Sequence, residues 1–289
     1  MKVLLPVGLV LLVLGCAKKE PVEPPAPSAT TAPDTQPAAA PPPATPAPQP
    51  TATLPANAPI PASGVLLWLS ADDAVASAQG GKVLAWANPL VPSSAAANRP
   101  EGLPSVVPNA LNGHAVVRFD GTDQMLKTSI DIGPARMPEG TIITVLSSTT
   151  ADRAPLRKIY GDDNGGYDRA VGLDDRGGDK NFGAFIGSGV SGYWQIAPNT
   201  TYVVVDEYSP KELSSWVNGN PALVKTAADW QEDVLPNLYL GGTGTVYSEY
   251  WSGDLAEVIV YARKLSEAER RQVEDYLGQK YGVAITRPN

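Results

Sequence analysis

The stretch Gly253-Asp254-Leu255-Ala256-Glu257-Val258-Ile259-Val260-Tyr261-Ala262-Arg263-Lys264-Leu265-Ser266-Glu267-Ala268-Glu269 decides the fold. Its first half is a β-rich run in which strand alternation places Glu257 on the face of Leu255, Ile259 and Tyr261. Its second half starts a helix. Ser266 and Glu269 have capping-box spacing, with the serine accepting from the Glu269 amide while the glutamate reaches back. Val273, Leu277 and Tyr281 then recur every four residues, on one face of a helix that Gly282 stops in the left-handed conformation. That apolar face predicts a helix docked on a sheet.

Upstream, short β-rich runs at 65–69, 82–86, 115–119, 141–146, 201–205, 214–217 and 237–240 alternate with Gly, Asn, Asp and Pro turns. Many short strands so punctuated predict a sandwich or barrel. Asn218-Gly219 predicts a hairpin, because both turn positions tolerate positive φ. Trp68 and Trp216, central in their strands, are expected in the core.

The segment 253–266, running into Tyr276-Leu277-Gly278-Gln279-Lys280-Tyr281-Gly282-Val283, resembles the C-terminal signature of LamG-like domains in the concanavalin A-like lectin and glucanase superfamily. Leu67-Trp68-Leu69-Ser70-Ala71-Asp72, Val117-Arg118-Phe119-Asp120-Gly121 and Trp216-Val217-Asn218-Gly219 match in the same order. The resemblance covers nearly all of 64–284. It implies an all-β jelly roll of two antiparallel sheets with one C-terminal helix, and says little about function, since lectins, adhesins, hydrolases and spacers share that fold.

The opposite end has a different texture. Lys2 precedes an apolar run of about a dozen residues, too short for the ~20 that span a bilayer. It ends at Val13-Leu14-Gly15-Cys16, which resembles a bacterial lipobox and implies a signal peptide over 1–15 and lipid attachment at Cys16. Several acyl chains on one cysteine hold firmly to a membrane. Ala17 follows the cysteine, where Asp would favour inner-membrane retention, so the same resemblance implies the outer membrane. From Cys16 to Ala62 the chain is rich in Pro, Ala and Thr and lacks aromatic residues, which predicts a disordered, extended tether. The jelly roll is then expected over 63–289.

Composition removes several functions. The net charge is −8, with no basic stripe for nucleic acid. Cys16 is the sole cysteine, so no internal disulfide forms. His114 is the sole histidine, and a turn position before a strand marks it as structural rather than as the base of a triad. No Glu-x-Asp-x-x-Glu strand of the glucanase kind occurs, and Asp206, Glu207 and Glu212 lie at a strand end or beyond a turn. Asp162, Asp163, Asn164 and Asp168 offer oxygen ligands to Ca²⁺ in an Asp-rich stretch, although Asp, Asn and Gly are also the ordinary turn formers. Aromatic residues among turn formers, Trp194, Tyr250 and Trp251 first among them, are the expected platforms for a sugar; Tyr193, Trp230 and Tyr247 are further candidates. The function expected on these grounds is a lipid-anchored envelope protein displaying a non-catalytic binding or adhesion domain for a glycan or protein, with no required cofactor. The alternatives are a spacer without a ligand and a divergent glycan-active hydrolase or lyase.

Overall fold

A computed structural model describes residues 47–88, 90–97, 102–149, 156–162, 169–174, 181–185, 194–227, 229–230, 236–244 and 249–288. The expected signal segment, Cys16 and most of the expected tether lie outside the described residues. Along the chain run β1 (Ala52–Thr53), β2 (Ser63–Ser70), a short helix α1 (Ala71–Ser77), β3 (Ala85–Asn88), β4 (Val91–Ala97), β5 (Ser105–Leu111), β6 (His114–Asp120), β7 (Leu126–Asp131) and β8 (Gly140–Ser148). There follow β9 (Leu156–Gly161), β10 (Ala170–Asp174), β11 (Asn181–Phe185), β12 (Thr201–Ser209), β13 (Glu212–Val217), β14 (Asn220–Ala227), β15 (Asn237–Leu240), β16 (Ser252–Tyr261) and α2 (Glu267–Tyr281).

The strands form two antiparallel sheets, a jelly-roll sandwich with a C-terminal helix as expected. The larger sheet runs β1-β2-β16-β8-β12-β13-β14, with β6 also on β16 and β5 on β6. The smaller runs β11-β10-β9-β15-β7-β4-β3. Trp86, Phe119, Leu126, Tyr160, Leu240 and Val258 belong to the core between them. A second core, with Val65, Ile143, Val203, Ile259, Val273 and Leu277, fills the space between the larger sheet and α2. The larger sheet is therefore buried on both faces, which is why β2, β8, β12 and β16 read as apolar runs rather than as clean alternation.

Local signals place the ends of these elements. Ser266 and Glu269 form the capping box, and Gly282, at φ 68°, closes α2 with the Val283 amide on the Gly278 carbonyl. Asn218 and Gly219, at φ 49° and 82°, turn β13 into β14. That conformation is the one both residue types tolerate.

Four expectations change. The domain starts before Ser63: β1 pairs with β2, Leu54 and Ile60 are buried, and the Gln49 amide exchanges two hydrogen bonds with the Asp131 backbone. Proline-rich composition hides this, because β1 is only two residues long. The helix α1 is new among the expected strands. Leu255 and Glu257 do not share a face, because the pairing of β16 with β8 shifts register between them, leaving Leu255 in the inter-sheet core. A bulge of this kind re-aims the side chains that follow it. Trp216 is only partly buried, on the outer flank of the second core, and not inside the sandwich.

Candidate functional site

The outer face of the larger sheet is covered by α2 along its middle, and clefts open on either side. Beside the N-terminal turn of α2 a cleft of about 290 Å³ is lined by Glu207, Trp216, Val224, Leu265, Glu267 and Arg270. Strand alternation explains its contents. Val203 and Val205 pack under α2 while Val204 and Tyr208 face the sandwich interior, so Glu207 follows the valines outward. Trp216 pairs across the strands with Val205. The Arg270 guanidinium stacks 4.2 Å from the Trp216 ring centre, which holds the indole in one orientation.

Glu207 is only 6% exposed. Its nearest cation is Lys264, whose Nζ is 3.7 Å from Oε2, longer than a hydrogen bond. Burial pushes the Glu207 carboxyl above its usual range, against the opposing pull of Lys264 and Arg270. Across the cleft Glu267 is exposed and paired with Arg271 at 2.5 Å. Glu207, Glu267 and the Trp216 indole thus line one cleft, a set of groups that can exchange a proton with a bound ligand and stack against it.

On the far flank, a second cleft of about 230 Å³ holds a polar row across four strands, Arg118, Asp254, Ser147 and Thr201. Arg118 forks onto both Asp254 oxygens at 2.7 and 2.8 Å. This cleft has one carboxylate, already bound bidentately, so it offers binding groups but no acid pair.

Two further buried acids are structural. Glu257, fully buried under α2, accepts from Trp68 Nε1 at 2.7 Å, Tyr276 Oη at 3.3 Å, Lys280 Nζ at 2.7 Å and Tyr281 Oη at 2.8 Å. It pins the helix to the sheet. Asp206, the neighbour of Glu207, alternates into the sandwich interior and accepts from Tyr160 Oη at 2.7 Å and Ser215 Oγ at 2.6 Å. Burial pushes its pKa to about 6, against those two hydrogen bonds. His114 sits 2.7 Å from Asp72, with its ring edge-on to Tyr281.

The residues singled out from the sequence are not brought together. Trp194 is half-buried, its ring perpendicular to Tyr202 at 4.4 Å between centres, at the edge of a cleft of about 300 Å³. Tyr250 is half-buried beside β9. Trp251 is no platform: it is fully buried in the inter-sheet core, where a Cβ on Gly253 would strike its ring. Trp230 is also a core residue, with Nε1 bonded to the Ser209 carbonyl. Asp162 is 2% exposed and accepts the Arg169 amide at 2.8 Å, so it caps backbone rather than standing open to a cation. Asp163, Asn164, Asp168, Tyr193 and Tyr247 lie outside the described residues. Among the described residues, no group of three or more His, Cys, Asp or Glu could hold a metal ion. The sequence set Glu207 at a strand end and Trp216 in the core and assigned neither to a site; the available signal was an acid following two outward valines on a strand with both faces buried.

No protein-family model and no curated protein sequence matches this chain. Solved structures do. Trypanosoma rangeli sialidase in complex with sialic acid is similar over 76% of this chain and 34% of its own, at 19% identity and a TM-score of 0.53. The same enzyme with the inhibitor DANA gives 74% and 33%, 18% identity and 0.52. Domain 4 of a GH43 extracellular arabinanase from Geobacillus stearothermophilus, in complex with arabinotriose, gives 73% and 97%, 13% identity and 0.51. The chain thus spans about a third of the sialidases' length and nearly all of the arabinanase domain. At these identities the likeness is one of fold. The structures sharing the sandwich come from glycosidases, which runs against the expectation of a non-enzymatic adhesion domain.

Proposed function

We propose that this chain is a glycan-active enzyme that takes an oligosaccharide into the cleft beside the start of α2, within a concanavalin A-like, LamG-like sandwich. The observation that carries the reading is Glu207, a buried carboxyl with a raised pKa lining the same cleft as Trp216 and Glu267. In glycosidic bond cleavage one carboxyl protonates the departing oxygen while another activates water or attacks the sugar carbon. Glu207, whose carboxyl burial pushes upward, takes the acid role. Glu267, exposed and held by Arg271, takes the second. Trp216, clamped by Arg270, gives the apolar face on which a sugar ring stacks. The arabinotriose bound to the arabinanase domain of like fold makes a neutral oligosaccharide the first substrate to try.

The test is release of reducing sugar from arabinan, arabinotriose and a sialylated trisaccharide by the full chain. Glu207→Gln is expected to lower the rate on the accepted substrate by at least about 100-fold, the usual contribution of a general acid, with the fold intact. Cleavage unchanged in Glu207→Gln, or no cleavage of any glycan by the wild-type protein, contradicts the reading.

The same proposal places the enzyme at the cell envelope, held by acyl chains on Cys16 in the outer membrane and spaced from it by the proline-rich segment. Mass spectrometry of membrane extracts is expected to find an acylated Cys16 peptide, and an intact, unmodified N-terminus would refute the anchor.

A further inference from the structure

The cleft on the far flank of α2 has no part in the proposed chemistry, yet its floor is an ordered set of groups. Strand pairing sets Arg118, Asp254, Ser147 and Thr201 directly opposite one another on β6, β16, β8 and β12. All four face outward, since Val116, Ala256, Val145 and Val203, two residues along each strand, belong to the core beneath α2. The polar row is three strand spacings long, about 14 Å, and the apolar row runs alongside it. The cleft holds about 230 Å³, below the ~300–1,000 Å³ of drug-sized sites.

Its two ends are fixed before any ligand arrives. At one end the β5–β6 hairpin supplies Leu111, and Asn112 in its turn donates to the Lys280 carbonyl at 2.9 Å. At the other, Asn199, at φ 57°, has its amide on the Ser148 carbonyl at 2.7 Å. A wall already ordered costs little further entropy when a ligand binds.

The groups left over decide what fits. Arg118 uses Nε and Nη2 on Asp254, so Nη1 keeps its N–H donors. A carboxylate has about four acceptor sites, and Asp254 uses two of them on Arg118. The Ser147 and Thr201 hydroxyls make no side-chain hydrogen bond among the described residues. The Arg118–Asp254 fork is neutral as a pair, so the cleft favours neither an anion nor a cation. A peptide adding as a strand needs an open sheet edge, whereas β6, β8, β12 and β16 each have neighbours on both sides. What remains is an uncharged ligand with hydroxyls along one side and C–H groups beside them.

We infer that the cleft floored by Arg118, Asp254, Ser147 and Thr201 is a binding site for a short, neutral glycan segment, separate from the cleft at Glu207. Neighbouring hydroxyls of one sugar ring bridge Asp254 and Arg118, further hydroxyls meet Ser147 and Thr201, and ring C–H groups lie toward the apolar row. The site does not depend on the chemistry proposed at Glu207, because α2 lies between the two clefts and no bond is broken here.

The test is hydrogen exchange of the full chain with arabinotriose, galactotriose and trigalacturonate, the last being the anionic counterpart of the second. At least one neutral probe is expected to slow exchange at 108–113 and 197–203, and trigalacturonate to leave both segments unchanged. Thr201→Val, which removes one hydroxyl and keeps the shape, should weaken that neutral probe about fivefold in Kd by calorimetry, with an unchanged melting temperature. Thr201→Arg, which fills the cleft from its rim, should abolish the protection of both segments. The site is overturned if neither neutral probe protects them, if trigalacturonate protects them as strongly, or if protection survives Thr201→Arg. Protection confined to 265–271 would overturn it too, and would leave the Glu207 cleft as the place where sugar binds.

Discussion

Glu207 and Glu257 share the outer face of one sheet and are both buried, yet their surroundings differ in kind. Glu257 lies beneath the last turns of α2, with two tyrosine hydroxyls, an indole N–H and a lysine ammonium all donating to it. Glu207 lies beside the first turn, with a single lysine at 3.7 Å and a cleft in front of it. Burial alone therefore does not separate a structural acid from a chemical one. Saturation with donors does: a carboxylate whose lone pairs are already bonded to the protein stabilises packing, and one with an open cleft in front of it is left to meet a ligand.

The contrast breaks first on stability. Glu257→Leu leaves Lys280, Trp68 and Tyr281 without their acceptor beneath α2, and is expected to cost about 3–5 kcal/mol in urea unfolding, as for other broken buried pairs. Glu207→Gln, which keeps the volume and strands no close partner, should cost less than about 1 kcal/mol. Equal losses would mean that both acids are structural.

Asp206 sharpens the comparison from the other side of the strand. Its pKa is about 6 in the folded protein, against the ordinary 3.8 of an aspartate in the unfolded chain, so the folded state binds the extra proton between those limits. Stability carried by the protonated form is complete below about pH 4 and is lost as pH rises through 6. Relative to Asp206→Asn, the wild-type protein should lose roughly 3 kcal/mol between pH 4 and 7. Urea melts of the two proteins across that range check it; a flat difference would show that the carboxyl is not held neutral in the interior.

Legibility in the sequence follows the same division. The helix, its capping box and the Asn218-Gly219 hairpin were readable because each depends on residues close in the chain; the strand pattern left sandwich or barrel open, and the two sheets were implied by the resemblance to LamG-like domains. The bulge before Glu257 was not, since it depends on how β16 pairs with β8. Nor was the burial of Trp251, a loop-like neighbourhood in sequence that the inter-sheet core encloses. The docking of 47–62 was hidden by a composition that normally means disorder. The cleft itself was least visible, because Glu207, Trp216 and Glu267 come from three elements and only the docking of α2 brings them together.

The most direct test of the account is the pH–rate profile of glycan cleavage in the wild-type protein and in Lys264→Met. A general acid must be protonated to act, so kcat/KM should fall on the alkaline side as Glu207 ionises. Lys264 lowers the pKa of Glu207, so its removal should move that alkaline limb to higher pH, with little change at acidic pH. An alkaline limb that stays in place when Lys264 is removed would contradict Glu207 as the acid.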